Sequence, residues 1–234
     1  MSLDPLPEGE EKTARVRAMF DAIAPRYDLV NRVMTFGLDQ LWRRRTVAAL
    51  ALAPGSVVLD LACGTGDLSR LARRAGYRVV GADLSRGMLA ANRTGLPLVQ
   101  TDGGHLPFPD GAFDGAVCGY ALRNFTDLSG TLAETARVLR PGGRVAVLEV
   151  DAPRSRAWRA GYDLWFQRAV PAIGAALSDR AAYRYLPRSV AYLPPTPVLR
   201  QMFAEAGYSA VGCRPLAGGL SQLLVGTRTG FPPR

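Results

Sequence analysis

The stretch Val57-Val58-Leu59-Asp60-Leu61-Ala62-Cys63-Gly64-Thr65-Gly66-Asp67-Leu68-Ser69 most constrains what this chain can fold into. Its apolar, valine-bearing start reads as a buried parallel strand that breaks into a glycine-rich turn. From Asp67 a helical pattern begins, with Leu68, Leu71 and Ala72 on one side and Arg70, Arg73 and Arg74 on the other. The Asp67 carboxylate suits that helix N-terminus. Strand, glycine turn and helix in this order open a nucleotide-binding α/β fold.

Two ligand classes use such an opening. Dinucleotides place a pyrophosphate on the helix and favour a third glycine, where this chain has Ser69. Asp60, inside the strand, would meet a pyrophosphate badly but suits the ammonium of an amino-acid-like ligand. S-adenosylmethionine is such a ligand, and Gly64 and Gly66 let the backbone approach it. A second strand, Arg78-Val79-Val80-Gly81-Ala82-Asp83, ends in an acid placed to accept hydrogen bonds from ribose hydroxyls. A third, Leu98-Val99-Gln100-Thr101, ends at Asp102, where a carboxylate can meet the adenine amino group. Three successive strand ends thus suit three parts of one ligand, although each acid also works as a cap or turn former.

At 234 residues, the chain is long enough for one fully cored α/β domain. No apolar run reaches the ~20 residues that span a bilayer, and the acidic, proline-bearing Met1–Lys12 is unlike a secretory or transit peptide. Cys63, Cys118 and Cys213 form no C-x-x-C pair, which points to reduced thiols in a cytoplasmic setting and to no metal site. The net charge of +9 fits an anionic partner such as a membrane surface or nucleic acid. Lys12 is the sole lysine, however, so arginine-rich base composition explains the charge equally well.

In chain order, residues 13–24 read as a helix with Val16, Phe20 and Ile23 on one stripe, and Pro25 ends it. A second helix runs from near Leu38 to Leu52. These helices, spanning 13–53, are placed to cover the ligand. Tyr27 is either a core aromatic or a pocket wall. A cofactor-binding core occupies 56–152. Within it His105, the sole histidine, reads as either a general base or a structural residue. The fourth strand, Phe113 to Gly119, leads into Leu122-Arg123-Asn124, and strand ends line the ligand crevice in open α/β sheets. Residues 153–195 form a helical insertion carrying Trp158, Tyr162, Trp165, Phe166 and Ile173, expected as a substrate cover. A helix and two antiparallel edge strands close the chain over 196–228.

The chain resembles the ubiquinone/menaquinone biosynthesis C-methyltransferases, a family of class I S-adenosylmethionine-dependent methyltransferases. The class is carried by Asp60–Asp67, Asp83 and Leu139-Arg140-Pro141-Gly142-Gly143. The family is carried by Phe20-Asp21-Ala22-Ile23-Ala24-Pro25-Arg26-Tyr27-Asp28, Phe36-Gly37-Leu38, Leu122-Arg123-Asn124 and Tyr183-Arg184-Tyr185-Leu186. The resemblance implies a Rossmann-like seven-stranded sheet with N-terminal helices and an insertion after the fifth strand. It places S-adenosyl-L-methionine at Thr65, Asp83, Asp102 and Gly103, and implies a lipid-tailed hydroquinone as acceptor, most simply demethylmenaquinol. Two positions depart from the family pattern: Gly119 stands where serine is frequent, and Gly218–Leu224 contains no histidine.

Methylating a ring carbon beside a hydroxyl requires that hydroxyl to ionise, so the site needs a cation. Arg123 is the expected catalytic cation, with Asn124 orienting a ring oxygen or a water and Tyr27 bounding the ring. The expected setting is cytoplasmic, peripheral at the inner face of the membrane. No nucleic acid partner is expected, since the chain has no Pro-Pro-Tyr or Pro-Pro-Phe motif for exocyclic amines and no appended RNA module. An RNA or small aromatic acceptor, or a non-catalytic cofactor-binding subunit, are the rival readings.

Overall fold

The computed structural model describes residues 8–151, 165, 185 and 188–230. Three helices come first: α1 (Gly9–Ile23), α2 (Tyr27–Met34) and α3 (Leu38–Ala49). The α/β part follows as β1 (Val57–Leu61), α4 (Asp67–Arg74), β2 (Arg78–Asp83), α5 (Arg86–Ala91), β3 (Leu98–Gln100), β4 (Phe113–Gly119), α6 (Leu128–Val138) and β5 (Leu139–Val150). Helix α7 (Thr196–Glu205) and strands β6 (Tyr208–Leu216) and β7 (Ser221–Arg228) complete it.

The sheet has seven strands in the order β3-β2-β1-β4-β5-β7-β6. The first five are parallel, and β7 inserts antiparallel between β5 and β6. The strand order reverses between β1 and β4, which opens a crevice at their carboxyl ends.

Side chains alternate along each strand, so the two sheet faces form separate cores. Leu59, Cys118, Val145, Val147 and Leu224 pack with Leu132, Ala136, Leu199 and Phe203 from α6 and α7. Val58, Val79, Val117, Ala146, Leu148 and Leu223 pack with Trp42 and Val47 of α3 and Leu68 and Ala72 of α4. Phe203 is fully buried, so truncating it to alanine costs about 3–5 kcal/mol.

The edge pair β6–β7 is antiparallel, as its sequence suggests. Helix α2 is the element that sequence reading missed. Pro25 ends α1, but its fixed φ and missing N–H also suit the start of a helix, and a 3₁₀ turn (Ala24–Arg26) leads directly into α2. The 153–195 insertion lies almost wholly outside the described residues.

Candidate active site

A cavity of about 700 Å³ lies over the carboxyl ends of β1, β2 and β4. Its wall includes Gly64, Thr65, Asp83, Asp102, Gly103, Tyr27 and Asn124, so seven of the sequence-predicted site residues meet in one space. Helix α1 forms the opposite wall through Thr13, Val16, Arg17 and Phe20. The N-terminal segment thus stands where a cover was expected.

Hydrogen bonds hold that cover in place. Lys12 Nζ donates to the Phe125 carbonyl at 2.8 Å, and the Thr13 and Thr126 hydroxyls lie 2.7 Å apart. Farther along, Asp21 Oδ1 accepts from Ser85 Oγ at 2.6 Å and from the Gly87 N–H at 2.7 Å. Thr65 Oγ1 donates to Asp28 of α2 at 2.5 Å. The Phe20-to-Asp28 motif therefore ties the helices to the strand ends and brings Tyr27 to the wall.

Asp83 is held by two backbone donors. Gly64 N–H reaches one carboxylate oxygen at 2.7 Å and Ser85 N–H the other at 2.8 Å. Burial pushes its pKa up, opposed by these bonds. Asp102 accepts from the Gly104 N–H through Oδ1 at 2.8 Å. His105 also lines the cavity, on the loop after Asp102. Burial pushes the Cys63 thiol far up, which disfavours the thiolate that a nucleophile needs.

Three predicted residues are absent from this wall. Gly66, with φ of 88°, turns the chain into α4, and a Cβ there would stand 2.4 Å from Thr94 Cγ2. That close packing and the positive φ both call for glycine here. Asp60 is fully buried behind the turn, where Oδ2 accepts from Ser69 Oγ at 2.5 Å. Its buried Oδ1 has no partner among the described residues. Burial, partly offset by Ser69 and Arg43, pushes the Asp60 pKa up to about 7.

A carboxyl with a raised folded pKa destabilises the protein once it must ionise. Asp60→Asn is therefore expected to raise the melting temperature of the ligand-free protein by several degrees at pH 8. The gain is full above about pH 7 and fades as pH falls toward the unfolded value of 3.8. Melting curves from pH 4 to 8 check this, and a gain independent of pH would contradict it.

Arg123 is the third. It is 4% exposed, and its Nη1 donates to Glu149 Oε1 at 2.5 Å and to the Tyr120 carbonyl at 2.8 Å. Its Nε donates to Ser189 Oγ at 3.1 Å. The guanidinium expected to face the substrate instead joins the ends of β4 and β5. Asn124 does line the cavity, with the Tyr185 hydroxyl 3.5 Å from its Oδ1.

A different arginine reaches the cavity. Arg43 of α3 is 6% exposed and shares the wall with Tyr27 and Tyr120. Its Nε lies 3.5 Å from Asp39 Oδ2 and 3.7 Å from Asp67 Oδ2. The guanidinium carbon stands 5.5 Å from the Tyr120 ring centre. Burial works to lower its pKa, but Asp67 and the neighbouring tyrosines and Asp39 outweigh burial and raise it. Burial pushes the Tyr27 phenol up, and Arg43 opposes this more than Arg123 does. The helical period held the signal for Arg43. Of Arg43, Arg44 and Arg45, only the first shares the buried stripe of Asp39, Thr46, Val47 and Leu50.

The profile of the ubiE/COQ5 methyltransferase family matches residues 8–228. The chain belongs to that family. It is 46% identical to a demethylmenaquinone methyltransferase of Thermus thermophilus over 90% of this chain and all of that protein. It is 37% identical to a ubiquinone/menaquinone biosynthesis C-methyltransferase of Geobacter sulfurreducens, covering 93% of this chain and 90% of the relative. The fold matches a possible histamine N-methyltransferase from Thermotoga maritima with a TM-score of 0.64. That match has 18% identity and covers 91% of this chain and 99% of the other.

A member of this family is an S-adenosylmethionine-dependent C-methyltransferase. The residues present fit that cofactor. One backbone donor on each Asp83 oxygen fixes the carboxylate and leaves a lone pair on each for a ribose diol. Asp102 Oδ2, beyond the Gly104 bond, is suited to an adenine amino group. Asp60, whose Oδ1 has no partner among the described residues, directly precedes Leu61 and Ala62 of the wall, and a carboxylate there suits a cationic amino-acid end. When bound, the cofactor supplies an electrophilic methyl carbon on a sulfonium.

Proposed function

We propose that this enzyme methylates a ring carbon of demethylmenaquinol, a lipid-tailed hydroquinone, to give menaquinol. The observation that carries this reading is the continuity of the cavity. The acids Asp83 and Asp102 share one space with Tyr27, Tyr120, Phe20 and Phe125, which suit an aromatic ring. Relatives from Corynebacterium kroppenstedtii and Thermus thermophilus, which match nearly the full chain, are named for the same acceptor. The strand-end acids position one reactant and the aromatic wall the other, so the protein contributes chiefly in-line orientation and exclusion of water. Asn124 is placed to orient a ring oxygen.

Single-turnover transfer to a short-chain demethylated naphthohydroquinone tests the reading. The ring-methylated product is expected. Transfer to RNA or to a tail-less phenol, with none to this acceptor, would replace it with one of its rivals, and a protein that binds the cofactor without transfer would be the non-catalytic subunit.

An acceptor with a lipid tail has to be drawn from a membrane. No helix among the described residues is long and apolar enough to cross one. Yet Leu29, Val33, Phe36, Leu38 and Leu41 are exposed on α2, α3 and the turn between them, with Phe36 74% exposed. Exposed Arg44 and Arg45 follow directly on α3. The same helices turn Tyr27 and Arg43 inward to the cavity. Such an apolar face edged by arginine suits a peripheral contact with anionic lipid. Reversible binding to vesicles of mixed anionic and zwitterionic lipid is expected, weakened by salt and by Phe36→Ser with Leu41→Ser. Co-sedimentation measures it, and no binding even at low ionic strength would make the net charge of +9 compositional.

A further inference from the structure

The methyl-transfer chemistry creates a demand that Arg123 does not meet. The acceptor hydroxyl first gives its proton to water, leaving a charge shared between the oxygen and the neighbouring ring carbon. The carbon's electron pair then forms the new C–C bond as the sulfur–methyl bond breaks toward sulfur, leaving a neutral thioether. Loss of the ring C–H proton restores aromaticity and the oxygen regains a proton, so one proton is released overall. The unfavourable species is the anion formed first, and a fixed cation beside it in a water-poor site stabilises it.

Among the described residues of the cavity wall, the arginines are Arg17 and Arg43. Arg17 is exposed on α1, where solvent weakens its field. Arg43 is buried, and a charge in a low-dielectric wall acts more strongly. Its Nε faces Asp39 and Asp67, which anchors the planar fork that carries the two terminal nitrogens. Gly119, at the end of β4, gives those nitrogens room: a Cβ there would stand 3.4 Å from Arg43 Nη1 and 2.9 Å from Leu68 Cδ1. The departure at Gly119 thus has a spatial meaning. Tyr27 and Tyr120 share the wall with Arg43, the Tyr120 ring centre 5.5 Å from its guanidinium carbon, and their rings suit a flat acceptor.

We propose that Arg43 is the catalytic cation of this site, its guanidinium holding the ionised hydroxyl oxygen of the acceptor ring. The proposal rests on the hydroquinone reading, and two measurements separate the two. The first uses no S-adenosylmethionine and no turnover. A coloured naphthol, 4-nitro-1-naphthol, is bound to the protein and its ionisation followed by absorbance against pH. Wild type is expected to lower the probe's pKa relative to water, Arg43→Lys to retain most of that shift, and Arg43→Gln to lose it. Arg43→Gln leaves Asp39 and Asp67 less compensated, so Arg43→Gln with Asp39→Asn is measured beside it as a charge-balanced variant.

The second measurement is the pH profile of single-turnover transfer. Arg43→Gln is expected to slow it by about 10²-fold near neutrality, with much of the rate regained as pH rises and the acceptor ionises unaided. A merely structural Arg43 would instead lower the melting temperature and cofactor affinity and leave the shape of the profile unchanged. The proposal is overturned if wild type leaves the probe's ionisation as it is in water, or if the charge-balanced variant lowers it as wild type does. Wild type that shifts the probe but transfers no methyl to the naphthohydroquinone would instead overturn the acceptor assignment and leave Arg43 as an oxyanion site.

Discussion

Glu149→Ala is expected to destabilise the protein by about 3–5 kcal/mol, because it strands the Arg123 guanidinium in the interior. Glu149 is fully buried and Arg123 nearly so, and one 2.5 Å ion pair joins them. Arg123→Ala is expected to lose a similar amount, since it leaves a buried carboxylate whose Oε2 already has no partner among the described residues. Replacing both together, Arg123→Met with Glu149→Leu, is expected to recover much of the loss, because neither charge then remains unpaired. Denaturant midpoints for the four proteins check this. If Arg123→Ala unfolds like wild type but transfers methyl groups slowly, Arg123 acts on the reaction and not on the fold.

Asp83→Ala is expected to weaken S-adenosylmethionine binding by about 3 kcal/mol, or roughly 10²-fold, through two charge-assisted hydrogen bonds lost from the ribose. The structure adds a second route to the same loss. Asp83 also receives the N–H groups of Gly64 and Ser85, so alanine loosens the glycine turn itself. Asp83→Asn retains one acceptor oxygen and is expected to fall between the two. Titration calorimetry on folded protein measures all three, and unchanged affinity in Asp83→Ala would remove Asp83 from the site.

The cofactor half of the site was legible because its spacing is local. Gly64 follows β1 in the same turn, Asp83 closes β2 and Asp102 follows β3, so chain order alone places each at the crevice. The acceptor half was less legible because it depends on register and helix docking. Arg123 follows β4 and seemed the natural cation. The pairing of Gly119 with Leu148 sets the residues after β4 beside Glu149, and that neighbour claims the charge. Arg43 comes from a helix before the sheet, and nothing in local sequence shows which strand end α3 will face. Asp60 and Gly66 lie off the cavity wall for another reason. Their residue types suit a ligand, but Ser69, Asn92 and Thr94 of the surrounding fold use them first.

The way α1 is fastened has a consequence for traffic through the enzyme. Within α1 only Lys12, Val16 and Ile23 are buried, so the helix rests on α5 and the Leu122–Asn124 turn after β4 with a narrow apolar footing. Its two ends are held by separate polar latches, Lys12 and Thr13 at Phe125 and Thr126, Asp21 at Ser85 and Gly87. Hydrogen bonds of this kind contribute about 0.5–1.5 kcal/mol each, small against the stability of the sheet. Such fastenings suit a door able to unfasten while the frame stays folded, with Pro25 at its hinge side. Opening it uncovers the cavity along Thr13, Val16, Arg17 and Phe20 and leaves the strand-end acids in place.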